Sequence, residues 1–257
     1  IGLLYTGRDR NPPLPEANVP LPLNALEVVA LIYFLLLWGG YARYAKHRAK
    51  RGDKPSLSRS LRQHRNAWVA RMLHRDMRMT DASLLANQER VVGFFASTTL
   101  ILLAAVLTAI AASDQVAEIT SHIPFAEKQS TAQIEAKFAL LLLTLVYAFF
   151  KVTWSLRQYG FASVVMGSAP QPDEAITAEQ RRLFQENLAK LMDCAGHDNN
   201  SCLRAYYFSL AVVCWLAGTL PFIAATTLIV FVLYNREFSS SAVHSIEQSY
   251  IPAPDSD

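Results

Sequence analysis

The chain has 257 residues, 52% of them hydrophobic, and 24 Lys and Arg against 21 Asp and Glu give a formal net charge of only +3. The apolar residues are gathered into four long runs, which excludes an ordinary soluble domain built from short amphipathic segments. Three cysteines, Cys194, Cys202 and Cys214, exclude a disulfide framework.

In chain order, residues 1–22 contain Pro12, Pro13, Pro15, Pro20 and Pro22. Proline fixes φ and removes a donor, so this arm is expected to be extended. The chain begins at Ile1 rather than Met, which reads as a processed or partial product. The first apolar run, 23–42, has no basic segment before it and no small-residue cleavage site, so it reads as a retained span. Asn24 offers an N-cap for it, and Glu27 suits the first turn electrostatically. A basic stretch with Arg43, Lys46, Arg48, Lys50 and Arg51 follows, broken by Gly52 and Pro55. From Ser56 or Ser58 the spacing predicts a second helix reaching about Met79. Leu61, Trp68, Val69, Met72 and Leu73 recur at helical intervals, and Arg62, Arg71, Arg75 and Arg78 occupy other faces. This composition fits a helix in the membrane interface, its arginines meeting anionic headgroups, or a helix packed on the rest of the protein.

Thr80 or Asp81 caps the next helix, which continues unbroken into the second span, 91–112. The third span, 137–157, is interrupted by Lys151, whose ammonium must reach headgroups or find a carboxylate, with Glu89 the nearest by depth. Pro170 and Pro172 then break the chain. Residues 177–193 predict a short amphipathic helix, 196–201 a polar turn, and 205–234 the fourth span, kinked at Pro221. The tail, 239–257, is Ser-rich and acidic and is expected to be flexible.

Each run reaches the ~20 helical residues that cross about 30 Å of hydrocarbon, so the expected fold is an all-α polytopic membrane bundle of four transmembrane helices. Its orientation follows from charge placement. Residues 43–90 carry thirteen Lys and Arg against four acids, and 113–137 carry two against four. Residues 151–204 carry six of each, and the chain from 205 onwards one Arg against four acids. The positive-inside rule makes the two richer connections cytoplasmic, and four spans then place both termini on the non-cytoplasmic side of a bacterial cytoplasmic (inner) membrane.

Most site chemistries fail. None of the six histidines lies in the apolar part of a span, so no axial pair for haem is available. Cys194, His197 and Cys202 match no standard zinc spacing, and no metal or cofactor is expected. His74-Arg75-Asp76 spells a kinase catalytic-loop tripeptide without a Gly-rich loop or metal-binding motif, and phosphate-cradling and nucleophile-elbow motifs are absent. No catalytic residue is nominated. The basic residues adjoin spans, so lipid rather than nucleic acid is the expected partner. Arg90, Lys151, Arg157 and Arg204 are the expected contacts for an anionic lipid headgroup or a small anion.

Three stretches then carry a resemblance. They are His64-Arg-Asn-Ala-Trp68 with Met72-Leu-His-Arg-Asp76 and Phe94-Phe-Ala-Ser-Thr-Thr99; Val146-Tyr-Ala-Phe-Phe-Lys-Val-Thr-Trp-Ser-Leu-Arg-Gln-Tyr159; and Leu203-Arg-Ala-Tyr-Tyr-Phe208 with Leu233-Tyr-Asn-Arg-Glu-Phe238. Over about residues 26–240 the chain resembles a family of predicted bacterial and plant integral membrane proteins classed as a domain of unknown function. The resemblance implies a four-span membrane domain and no established activity. The functional expectation is a non-catalytic membrane scaffold or accessory subunit that binds anionic lipid, as a homo-oligomer or within a larger membrane complex. The alternative is a small-anion channel or transporter formed by oligomerisation, with Lys151 and Arg157 on the path.

Overall fold

The structure is a computed structural model that describes residues 23–51, 56–122 and 127–253. The Pro-rich arm at 1–22 and the last four residues of the tail lie outside the described residues. Eight helices, and no strand, are found among the described residues: α1 (Ala25–Arg51), α2 (Leu57–Leu73), α3 (Met79–Ala111), α4 (Ser113–Ser121), α5 (Thr131–Gly167), α6 (Ala178–Trp215), α7 (Thr219–Phe238) and α8 (Ser241–Gln248).

Local chemistry sets most of the starts. Asn24 Oδ1 accepts the Glu27 N–H at 2.8 Å and Glu27 Oε2 accepts the Asn24 N–H at 3.0 Å, so the expected cap is present as a reciprocal pair. Ser130 with Gln133 and Thr177 with Gln180 form capping boxes for α5 and α6, and Ser56 and Ser240 cap α2 and α8. Four stretches are long and apolar enough to cross a membrane: Ala25–Ala45, Met79–Ala111, Thr131–Gly167 and Thr219–Gln248. The 37 residues of α5 extend for about 55 Å, nearly twice the hydrocarbon thickness. One end of the molecule is therefore a helical extension beyond the spans, built from α2, the start of α3, the end of α5 and the start of α6.

Two apolar clusters match this division. In the extension, Val69, Met72 and Leu73 of α2 pack with Leu85, Tyr159, Leu188 and Met192. In the spans, Ala30 and Phe34 pack with Phe138, Leu141, Phe208, Trp215 and Phe222.

The fourth span differs from its expectation. Residues 196–201 are not a turn but lie inside α6, which continues unbroken to Trp215. The apolar run 205–234 is instead cut at 216–218, where Gly218 adopts φ 148° and starts α7. Neighbouring side chains hold this reversal. Gln129 donates to the Leu216 carbonyl at 2.8 Å, and Glu127 accepts from both the backbone N–H and the hydroxyl of Thr219 at 3.2 Å. Pro221 falls in the first turn of α7, where a missing N–H costs nothing, rather than at a mid-span kink.

The direction of the chain changes accordingly. α6 runs antiparallel to α5 back to the end where α1 starts, and α7 returns beside α1, with Tyr33 and Thr227 hydroxyls 2.8 Å apart. Glu237, near the end of α7, accepts from the Ser58 N–H and hydroxyl at 3.2 and 2.7 Å. The tail then forms α8 on α2: Ile246 O lies 2.7 Å from His64 Nε2, and Arg71 donates to the carbonyls of Ile251 and Pro252. Leu23 and Ala253, the ends of the described chain, lie at opposite ends of the bundle. The acidic tail, expected to be flexible, is ordered as far as Ala253, with Val243 and Ala253 buried.

Candidate functional site

Three groups of polar side chains stand out in an otherwise apolar bundle. The first closes the end where α1 and α5 begin. Lys137 Nζ lies 2.8 Å from Glu27 Oε1, and both side chains are almost wholly buried, at 0% and 1% exposure. Lys137 also donates to Gln129 at 2.8 Å and to the Trp215 carbonyl at 3.4 Å, and its ammonium stands 5.2 Å from the Trp215 ring centroid. Gln133 donates to the other Glu27 oxygen at 3.1 Å. Three helices, α1, α5 and α6, and the Gln129 side chain ahead of α5 thus meet on one buried charge pair.

The second group lies in the α5–α6 seam. Lys151 pairs with Asp198 at 2.7 Å, and Gln158 donates to the second Asp198 oxygen at 2.7 Å. Ser155 donates to the Ala195 carbonyl at 2.7 Å. The expected Glu89–Lys151 pair is therefore not formed. Glu89 instead accepts the Ser163 hydroxyl, because its level on α5 is residue 163, about three helical turns or roughly 18 Å along the helix from Lys151.

The third group is a level rather than a cluster. Counting about 20 residues, or 30 Å of helix, from the Glu27–Lys137–Trp215 end reaches Tyr44 on α1, Val91 on α3, Arg157 on α5 and Ser239 at the end of α7. Four arginines, Arg48, Arg90, Arg157 and Arg236, fall towards this end of the spans on four different helices. Among the described residues none of them forms a salt bridge. Arg48 donates to the Tyr44 and Tyr234 hydroxyls, and Arg236 to the Tyr207 hydroxyl. Arg157 lies 5.5 Å from the Phe161 ring centroid, and Arg90 is exposed. The Tyr44 hydroxyl also raises the already high pKa of the Arg48 guanidinium, so its charge is permanent. Tyr44, Trp154 and Tyr234 share the level, where the amphipathic rings of membrane proteins collect.

The expected site residues separate on this framework. Arg90 and Arg157 stand at the level, Lys151 lies inside it on Asp198, and Arg204 lies deeper still, donating to the Ser201 hydroxyl at 3.0 Å. The arginines expected to decorate an interfacial helix have protein partners. Arg62 and Arg65 grip Asp193 at 2.9 and 2.8 Å, and Arg75 and the Trp68 indole both donate to Asp81. Arg78 donates to the Ala169 and Pro170 carbonyls. Arg71 holds the tail, as described above. Sequence reasoning missed Lys137 and Arg236. The Asn24–Glu27 signature located one half of the buried pair, and nothing local marked the other.

No group of His, Cys, Asp and Glu suited to a metal occurs among the described residues, and the three cysteines are free thiols, Cys194 exposed and Cys202 buried. The fold and its arginine level define the class: a multi-pass helical membrane protein. Residues 29–242 match the family model described as "Protein of unknown function, DUF599", and the chain belongs to that family. No curated protein and no solved structure matches it.

Proposed function

We propose that the protein is a non-catalytic integral membrane scaffold or accessory subunit that binds anionic phospholipid at the end of the bundle carrying α2. The observation that carries this reading is the set Arg48, Arg90, Arg157 and Arg236, one on each of four spans towards the same end of the bundle, with no carboxylate partner among the described residues. Such charges at a headgroup level are stabilised by about 1 kcal/mol each against an anionic leaflet. The same end holds the connection with thirteen Lys and Arg, so it faces the cytoplasm of a bacterial inner membrane. The chain then leaves the last span on the cytoplasmic side.

A channel through one chain has no support from the seam, since Lys151 is tied to Asp198 rather than left on a polar path. Native mass spectrometry of the protein released from mixed phosphatidylglycerol and phosphatidylcholine membranes tests the lipid reading. Preferential retention of phosphatidylglycerol is expected, reduced when Arg90 and Arg157 are both replaced by Gln. Equal retention of the two lipids by the parent protein would sink it. Recovery of a stoichiometric larger assembly in gentle detergent tests the scaffold role.

A further inference from the structure

We infer that Arg48, with Tyr44 and Tyr234, forms a discrete cradle between α1 and α7 for the phosphate of one anionic phospholipid. This deepens, and rests on, the lipid-binding reading above.

The argument begins with how Arg48 is held. Its guanidinium stands 5.5, 5.9 and 5.1 Å from the ring centroids of Tyr44, Tyr234 and Phe238, a three-ring enclosure that fixes the cation with no counter-charge. The rings brace one another: Tyr44 to Tyr234 at 6.3 Å and Tyr234 to Phe238 at 5.2 Å. Both hydrogen bonds that hold the guanidinium leave from Nη1, one to each phenol oxygen. Nη2 and Nε make no hydrogen bond among the described residues. That free edge has the fork geometry that matches two oxygens of a phosphate. The two phenols accept from Nη1, so each keeps its own O–H to donate.

Among the described residues, nearby acids do not fill the position. Glu237, adjacent to Phe238, is turned to the Ser58 backbone and hydroxyl. Arg48 and Tyr44 are partly exposed, so the edge can be reached. The depth selects the source of the phosphate. The cradle lies where α1 and α7 leave the hydrocarbon, so a phospholipid can bring its headgroup there while its chains stay against the exposed apolar flank of α1, which includes Leu35 and Leu36.

The test uses the full chain in nanodiscs of phosphatidylcholine with a minor share of phosphatidylglycerol, followed by native mass spectrometry. One phosphatidylglycerol should stay bound after the weaker adducts have been stripped. Arg48→Gln, and separately the double variant Tyr44→Phe with Tyr234→Phe, should weaken that last adduct about tenfold or more, as expected for charge-assisted hydrogen bonds. Arg48→Gln should lower the general preference for phosphatidylglycerol only by the share of one arginine among four, and the tyrosine double variant, which keeps all four arginines, should leave it in place. The phenol-to-phenyl variant keeps the rings and so guards against misfolding as the cause. A preserved general preference with an unchanged last adduct would overturn the cradle alone, whereas loss of all preference in the parent protein would overturn the underlying reading. Displacement of the adduct by millimolar inorganic phosphate would overturn the lipid as the occupant.

Discussion

At the scale of single residues, the Glu27–Lys137 pair is where the fold is most exposed to damage. Removing two charges from water is expensive, and a buried pair recovers that cost only if the geometry is good and the remaining donors are used. Here Gln133, Gln129 and the Trp215 carbonyl complete the set. Removing one partner strands the other, so Lys137→Met or Glu27→Gln should cost about 3–5 kcal/mol. Combining Lys137→Met with Glu27→Leu should restore much of the loss, since the site is otherwise apolar. Thermal unfolding of the four proteins in one detergent checks both statements, and a double variant no more stable than either single would show that the pair does more than neutralise itself. Glu27 was legible in the sequence because a cap and its reciprocal acid are three residues apart. Lys137 was not, because its partner is 110 residues away and its position at the edge of an apolar run looks like any span boundary.

The elements show a similar divide. The first two spans were legible because each is a single unbroken apolar run whose start, at Asn24 and near Thr80, carries cap or first-turn residues, and the third was legible despite its break at Lys151. The last span was misread twice for one reason: local composition does not say what a side chain faces. Gly196, Asn199, Asn200 and Ser201 are turn formers, yet here they ride inside α6. Arg65 Nη2 lies only 2.5 Å from where a Cβ on Gly196 would be, so the glycine lets α2's arginine lie across α6 on its way to Asp193. Gly218, one glycine in a continuous apolar run, is a weak signal, but its backbone conformation is nearly closed to other residues. A Cβ there would also lie 3.2 Å from Glu127 Oε1. Gly218→Ala should therefore destabilise the α6–α7 reversal by about 1–3 kcal/mol. Pro221→Ala, in the first turn of α7, should change stability by less than about 1 kcal/mol. If Pro221 instead kinked a continuous span, the alanine variant would be the more disturbed of the two, and melting temperatures in a common detergent would rank them in that order.

For the whole molecule, the position of the chain's end is the statement on which orientation, lipid side and any partner interface all depend. Charge counting alone divided the connections correctly into richer and poorer ones, but it counted the run at 205–234 as one crossing. With the reversal at Gly218, the last third of α6 and all of α7 lie side by side over the same depth. Tyr207 on α6 meets Arg236 on α7, and Trp215 stacks on Phe222 with centroids 4.4 Å apart. Five helical segments therefore lie side by side, four of them within stretches long and apolar enough to cross a membrane, and α8 ends beside α2. This arrangement makes a prediction that composition cannot. A cysteine placed at Glu247 on α8 and the native, exposed Cys194 should be labelled by a membrane-impermeant thiol reagent from the same side. A cysteine at Ile119 on α4, 63% exposed at the opposite end, should react only from the other side. Each is read as the sole accessible thiol, with Cys202 and Cys214 replaced by Ala and, outside its own test, Cys194 by Ser. Sealed inside-out vesicles should label the first two positions and intact spheroplasts the third, if the arginine-rich end is cytoplasmic. Labelling of positions 247 and 119 from one side would restore a single crossing for 205–234 and remove the tail from α2.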